Sequence, residues 1–375
     1  MEYEVRKVRN RRLLKDFLRV PFRIYRGNSR WVPPLNRDVK RTLDPAHNPY
    51  FRSATLDLFV CYGDGVPAAR SALVVNDVHC RKFNVHAGFF GFFESVNDPG
   101  ATGALFRAVE GECARRNVDM LEGPFNPNHY SELGMLEDRY DEDQVFFQTY
   151  NPPWYHELLR GAGFRRAEAL FTARNPDCRS LESGHSSECP DRGGTDGYTT
   201  RQFRMDDFRG ELEIVRDVFN DAFSANWHFL EATQEEHLFA ARYLRMVTDP
   251  SLVAIVEHRG VPVGVLMCVL DVNPILRKLR GKAGPLSVLR FLRDRKRVRT
   301  LVIYAVGIRK AYQRTRAFVL LSDALPRMAQ GFDVLESTWM SSSNLLAIAA
   351  ARRMGMIEHK HFCMYRKDLG QGGTS

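Results

Sequence analysis

Two stretches of the chain repeat one another in outline, and such a repeat dictates architecture before any single side chain is weighed. LFVCYGDGVPAARSALVV reads as strand, turn and strand, with Gly65-Val66-Pro67 closing the turn, and VAIVEHRGVPVGVLMCVL does the same around Gly260-Val261-Pro262. Apolar runs on either side of a glycine turn predict β-hairpins. A second pair follows. NPPWYHELLRGAGFRR, from Asn151 to Gly163-Phe164, and SNLLAIAAARRMGMIEHK, from Asn344 to Gly355-Met356, each read as a helix opened by asparagine, stopped by glycine and followed by a strand. The hairpins lie 195 residues apart and the helix stops 192, so the repeat predicts two tandem domains rather than one large core.

Residues 176–197 (PDCRSLESGHSSECPDRGGTDG) are rich in Ser, Gly, Pro and Asp and poor in apolar side chains, the composition of a linker. That places the domains at 1–175 and 198–370, and 375 residues with 25 Phe suffice for two cores. In the second half, the helical stretches DDFRGELEIVRDVFNDAF and TQEEHLFAARYLRMV precede the hairpin. Strand LVIYAVGI, helix RAFVLLSDALPRMAQ, strand DVLESTW, the Asn344 helix and strand HFCMYRKD follow it. Helices, hairpin and then β-α-β-α-β predict an α/β fold with a mixed sheet (α+β).

Basic residues exceed acidic ones by 9, and residues 277–299, with ten basic side chains and the single acid Asp294, carry that whole excess. The chain is thus neutral apart from one basic insert. Within it, PLSVLRFLRDRKRVR sets Val288, Leu289 and Leu292 at helical spacing, with Arg290, Arg293 and Arg297 on the other side. That is the pattern of a helix resting on an anionic membrane. It would also suit the nucleotide end of a cofactor, while no nucleic-acid motif accompanies the charge and no nucleic-acid partner is expected. No apolar run approaches the roughly 20 residues that span a bilayer, and the charged N-terminus lacks a signal-peptide core. The expected location is cytoplasmic, peripheral to the inner membrane through 277–299. Seven cysteines (Cys61, Cys80, Cys113, Cys178, Cys189, Cys268, Cys363) without a CxxC pair predict reduced thiols. His79, Cys80 and His86 match no common zinc spacing, and no metal or redox cofactor is expected.

YAVGIRKAYQRTRAFVLLSDAL resembles the acyl-CoA motif of the GNAT superfamily (Gcn5-related N-acetyltransferases). In that motif a strand runs V-x-hydrophobic into (Q/R)-x-x-G-x-(G/A) at the head of a helix; Val306, Ile308, Gln313, Arg316 and Phe318 take the matching positions. WMSSSNLLAIAAARRMGM resembles the next motif, N-x-x-A-x-x-x-Y with a helix-ending glycine, at Asn344, Ala347, Ala351, Gly355 and Met356. With FLRVPFRIYRGNSRWVPPL, GFFGFFES, EGPFNP and YNPPWYHELLRGAGF, the resemblance covers most of the chain and extends to a group of tandem GNAT-fold bacterial proteins related to the bacterial ceramide synthases. It implies two GNAT-like domains, acyl-CoA or acetyl-CoA as co-substrate, and an amine acceptor of lipid-like, sphingoid type. Two positions depart from the motifs. Arg316 replaces the loop glycine, and Ala351 replaces the tyrosine that would protonate the leaving thiolate. A second reading therefore stays open, a non-catalytic GNAT-fold binding or regulatory protein.

A site of this kind must hold a diphosphate, deprotonate an amine and stabilise a tetrahedral intermediate while a thiolate leaves. The resemblance implies that the turn Gln313, Arg314, Thr315, Arg316 and Ala317 holds the diphosphate at a helix N-terminus. It also implies that Ile308 and Asn344 lie beside the cofactor and that the main-chain N–H of Val306 meets the intermediate. Glu336 shares a face of DVLESTW with Val334 and Thr338, and a carboxyl in an apolar strand is a candidate general base. Glu94, ending GFFGFFES, and His129, in NPNHYSELG, are further candidates; Tyr304 and Tyr365 are candidate proton donors. The first domain has no phosphate loop after GFFGFFES. It is expected to supply acceptor pocket and stability, with Asn126, Tyr150 and Asn151 reaching a cleft between the domains.

Overall fold

The structure is a computed structural model that describes residues 2–128, 131–181, 197–282 and 284–370. It divides into two compact units: unit 1 is Met1–Leu170, Leu276–Gly284 and Lys360–Ser375, and unit 2 is Phe171–Ile275 and Pro285–His359. The first half of the chain forms β1 (Tyr3–Lys7), α1 (Arg11–Ile24), α2 (Asn36–Thr42), β2 (Ala54–Gly63), β3 (Val66–Asn76), α3 (Asp77–Phe83), β4 (Ala87–Ser95) and α4 (Pro99–Arg115). Then come β5 (Met120–Gly123), the short strands β6 (Phe125–Asn126), β7 (Glu132–Leu133) and β8 (Met135–Leu136), α5 (Tyr155–Gly161) and β9 (Arg165–Asn175). The second half forms β10 (Tyr198–Gln202), α6 (Phe208–Phe223), α7 (Gln234–Val247), β11 (Val253–His258), β12 (Val261–Leu270), α8 (Asn273–Leu279) and α9 (Pro285–Asp294). It ends with β13 (Thr300–Ile308), α10 (Arg316–Met328), β14 (Val334–Ser337), β15 (Met340–Ser341), α11 (Leu345–Arg353) and β16 (Ile357–Asp368).

Both hairpins form, and both turn on two residues with positive φ, Asp64-Gly65 (49° and 78°) and Arg259-Gly260 (52° and 79°). Such a two-residue turn matches the twist of the strands it joins. Val66 and Val261 already open the second strand, so each turn sits one residue before the Gly-Val-Pro that the sequence pointed to. Each hairpin also carries a bulge at the same place, with Ala68 and Val263 as the extra residues.

In unit 1, α1 packs Phe17, Leu18 and Val20 against Leu58, Val60 and Ala72 of β2 and β3. A second core joins α4 and α5 to the sheet through Phe90, Leu105, Phe106, Tyr155 and Phe164, with the Phe106 and Phe164 rings 4.7 Å apart. Fully burying each such ring contributes about 1.5–3 kcal/mol. In unit 2, α6 and α10 hold opposite faces of the sheet. A Cβ on Gly307 would lie 2.7 Å from Phe219 of α6, and one on Gly264 would lie 3.3 Å from Leu321 of α10. Gly264 is paired with Ile308, so it faces the side opposite to Gly307.

The last strand of each unit comes from the other half of the sequence. β14 pairs with β9, Glu336 opposite Arg174, and β5 pairs with β16, Glu122 opposite Arg366. The units therefore do not follow the division at 176–197; of that segment, residues 182–196, with Cys189, lie outside the described residues. The basic insert is divided too. Its first part belongs to unit 1, where Gly281 accepts from the Asn36 amide at 3.0 Å and Arg277 pairs with Asp143 at 3.2 Å; from Pro285 it belongs to unit 2.

The repeated helix stops match closely. Gly163 (φ 88°) and Gly355 (φ 69°) follow α5 and α11, and the next amides, of Phe164 and Met356, reach back to Leu159 and Ala351. The starts differ. Asn344 caps α11 by accepting from the Ala347 amide, whereas α5 begins at Tyr155 with no side-chain cap. Asn151 instead bonds both the amide and the carbonyl of Leu136, because two prolines separate it from the helix.

Half-buried Glu132 on β7 has its carboxyl pushed up to about 7 by desolvation. A carboxyl with a folded pKa above its ordinary 4.5 favours folding below about pH 4.5, and that contribution is lost as the pH rises to about 7. The melting temperature of Glu132→Gln should rise relative to wild type across that interval. A constant difference would show that the carboxyl titrates normally. Gly91 meets backbone: an added Cβ would sit 1.7 Å from the Phe125 carbonyl oxygen. Gly91→Ala is expected to destabilise unit 1 by about 3 kcal/mol, read as a lower urea midpoint.

Candidate active site in the second unit

The pairing of β13 defines the site. Towards β12 it is antiparallel, from Gly264↔Ile308 through Leu266↔Val306 to Met267↔Ala305, with Tyr304 left over as a bulge before Cys268↔Ile303. Towards β14 it is parallel and runs only from Thr300↔Val334 to Ile303↔Ser337. Thr338 closes this seam, its amide on the Ile303 carbonyl at 3.1 Å and its hydroxyl on the Tyr304 carbonyl at 2.9 Å. Beyond it, β13 continues for four more residues without β14.

The backbone of that free stretch has a known direction. Arg309 donates its amide to Val263 at 2.8 Å, and the N–H groups of a strand alternate, so the amides of Val306 and Ile308 turn away from β12 into the gap. Among the described residues neither amide meets a side-chain or loop acceptor. Gln313 Nε2 reaches the Ile308 carbonyl from the same side at 3.4 Å.

Next comes the turn. Lys310–Tyr312 form a single 3-10 turn, Arg314 takes φ 66°, and α10 opens at Arg316 with the Thr315 hydroxyl accepting from the Ala317 amide at 3.3 Å. The left-handed residue is Arg314, and Arg316 lies inside the helix. The backbone therefore asks for no glycine at Arg316, and the departure from the motif carries no backbone strain. The first turn of α10 presents amides without intrahelical partners, where helix geometry favours an anion. Asp221 of α6 takes the Lys310 amide at 2.6 Å. Ala317 is buried beneath the turn. Asn344 uses its side-chain oxygen as the cap of α11 and offers its nitrogen to Asn226 at 3.4 Å.

Unit 1 repeats this geometry and then fills it. Ala69↔Ser95 corresponds to Gly264↔Ile308, each four residues after its turn glycine. Val96 donates to Ala68 as Arg309 does to Val263, so the Ser95 amide also faces outward. Here it meets the Tyr155 hydroxyl at 3.0 Å, and the Phe92 amide meets Asn126 Oδ1 at 2.6 Å. Asp98 then caps α4, which starts at Pro99, with only three residues between it and the end of β4 at Ser95. Asn126 and Tyr155 thus take up amides of β4 that face away from β3.

Both candidate carboxylates are committed. Glu336 is 2% exposed, 3.5 Å from Arg174 Nε and 3.6 Å from His359 Nδ1, in contrast to the apolar strand surroundings expected for it. The same cross-strand pairing recurs in unit 1 as Glu122 with Arg366 at 3.8 Å. Glu94, in unit 1, receives the Tyr155 hydroxyl at 2.7 Å and lies 3.6 Å from Arg70. Burial raises its pKa against the pull of Arg70, Tyr155 and Tyr25. His129 lies outside the described residues. Tyr304 is half-buried, and desolvation pushes its hydroxyl up to about 12. Tyr365 belongs to unit 1, where its hydroxyl meets His156 at 2.9 Å. Tyr150 bonds Tyr140 and Asn28 there.

Glu132 had no sequence signal, because its displaced pKa comes from packing. The described residues also gather Glu137, His156 and Cys363 within 4.8 Å of one another. Both ring nitrogens of His156 already have partners, Leu136 O at 2.7 Å and the Tyr365 hydroxyl. Burial also raises the Cys363 thiol to about 12, so the cluster reads as a hydrogen-bonded core. No helix among the described residues is long and apolar enough to cross a membrane.

No family model matches the chain. A protein of Caulobacter vibrioides described as a bacterial ceramide synthase is 26% identical over 369 residues, 95% of each chain. Protein YghO of Escherichia coli K12 is 24% identical over 97% of this chain and 95% of its own. Among solved structures, a tandem GNAT protein from the clavulanic acid biosynthesis pathway superposes with a TM-score of 0.56 at 13% identity, covering 98% of this chain and 99% of that one. Such a likeness speaks for architecture, and it agrees with the repeated hairpins, helix stops and parted strands: the chain is a tandem GNAT-fold protein, distantly similar over its full length to the bacterial ceramide synthase.

Proposed function

We propose that unit 2 transfers an acyl group from acyl-CoA to an amine. One observation carries this reading: the outward amides of Val306 and Ile308 stay open, while their counterpart at Ser95 in unit 1 is closed by Tyr155. In this mechanism the amine attacks the thioester carbonyl, and the developing oxyanion is met by fixed N–H groups on β13 rather than by water. The first turn of α10 and the Gln313–Ala317 turn hold the diphosphate. The C–S bond breaks, the thiolate takes its proton from the Tyr304 hydroxyl, whose pKa desolvation raises, and the attacking nitrogen releases its proton to solvent water, from which Tyr304 is reprotonated. Glu336, tied to Arg174, serves the sheet.

The acceptor in this reading is a lipid-like amine of sphingoid type. Support comes from the rings of Phe219, Phe223 and Phe229, successive centroids 5.2 and 6.1 Å apart, beside Gly307, and from the relative described as a ceramide synthase. Peripheral contact of a cytoplasmic protein with an anionic membrane belongs to the same reading. The replaced tyrosine at Ala351 favours a second one, in which the cleft binds a thioester without turning it over.

Calorimetry with acetyl-CoA and palmitoyl-CoA tests the core of the proposal; absence of heat with both would remove it. Arg316→Glu should weaken binding at least tenfold through charge reversal at the turn, corresponding to about 1.4 kcal/mol. Tyr304→Phe should bind acyl-CoA normally and turn over about a hundredfold more slowly. Unchanged turnover would dismiss Tyr304 as the acid, and binding with no turnover in the wild type would select the second reading.

A further inference from the structure

Helix α9 stands on unit 2 with an unusual division of its faces. Phe291 and Asp294 are buried, each 6% exposed, and anchor one side. At about 100° per residue, Val288, Leu292 and Leu289 fall together on the side turned away from that anchor. They are 51%, 48% and 67% exposed. Arg293 and Arg290 border this apolar strip, and Arg295–Arg297 follow it directly as a 3-10 turn. A helix that leaves three large apolar side chains in water beside cations has the composition of an interfacial helix.

Behind the same segment lies a cavity of about 660 Å³. Arg295, Lys296 and Arg299 reach it from the end of α9, and Arg327 reaches it from the last turn of α10. The one acid in its wall, Asp249, is engaged with the amide and hydroxyl of Ser251. Arg201, also in the wall, is neutralised by Glu211 and Glu257. Four cations therefore face an opening whose floor includes Leu252, Leu270 and Phe332. The cavity is separate from the thioester site: Arg327 lies about 16 Å along α10 from Arg316, at 1.5 Å per residue.

We propose that α9 and this cavity form one docking site for an anionic phospholipid bilayer. Val288, Leu289 and Leu292 enter the interface, and the phosphate of an acidic lipid sits among Arg295, Lys296, Arg299 and Arg327. The site rests on the membrane-contact part of the reading above and is independent of acyl transfer. It narrows that contact to residues 285–299 and adds a headgroup pocket, because 277–284 belong to unit 1.

Flotation of the full chain with phosphatidylcholine vesicles, with and without phosphatidylglycerol, tests it. Binding is expected only with phosphatidylglycerol. Leu289→Glu should reduce it at least tenfold, and Lys296→Gln/Arg327→Gln by about thirtyfold, at about 1 kcal/mol for each charge. Arg352→Gln/Arg353→Gln, which removes two exposed charges from α11, should change it little. Inorganic phosphate should compete with wild type and fail to compete with the Lys296/Arg327 variant. No binding to acidic vesicles would overturn membrane contact altogether. Binding lost in Leu289→Glu but kept in the cavity variant would overturn the headgroup pocket alone. An equal loss in the α11 control would reduce the effect to net charge, and salt-sensitive binding to a DNA duplex without vesicle binding would assign the charge to nucleic acid. Both of these also overturn the proposal.

Discussion

The short parallel seam between β13 and β14 governs which backbone groups of unit 2 are left without a strand partner. Only four residue pairs hold the strands together, ending at Ile303↔Ser337. A backbone N–H that loses its strand partner must find another acceptor or remain open to solvent and ligand. Unit 1 takes the first course, spending Tyr155 and Asn126 on its loose amides. Unit 2 takes the second at Val306 and Ile308. One backbone plan thus yields a plugged version and an open version within one chain, and the difference resides in side chains that reach the gap.

The Glu–Arg pairs have a complementary role. Glu122 faces Arg366 and Glu336 faces Arg174 across antiparallel strands in the two units. Distances of 3.8 and 3.5 Å and the cost of burying a carboxylate leave modest net energy in each pair. Their value lies in register: a slip by one residue would turn each glutamate to the other face of the sheet and leave its partner uncompensated. Glu336, a candidate general base by sequence, is thus also paired across the sheet with Arg174.

Much of the architecture was legible in the sequence because it is written locally. The hairpins announced themselves through Gly65 and Gly260, the helix stops through Gly163 and Gly355, and the strand–turn–helix of β13 and α10 through residues within 15 positions of one another. What depends on distant partners was hidden. Arg174 and Glu336 are 162 positions apart, and nothing in DVLESTW indicates the guanidinium that meets it. Tyr155 sits in a stretch that reads as a helix start, yet its hydroxyl closes an amide 60 residues earlier. Asn151 had the form of a helix cap and lost that role to two intervening prolines. The basic insert looked continuous, since charge alone does not show where a chain passes from one core to another.

The exchange of β9 and β16 ties the two halves into a shared fate. A fragment ending in the segment that joins the halves would leave β5 without its neighbour and expose β9 as an orphaned edge, an invitation to aggregation. A duplicated chain with independent domains can discard the copy that loses its function. This one cannot, because each unit is completed by a strand from the other half of the sequence. Removal of either half therefore takes a strand from the unit that the other half mainly builds.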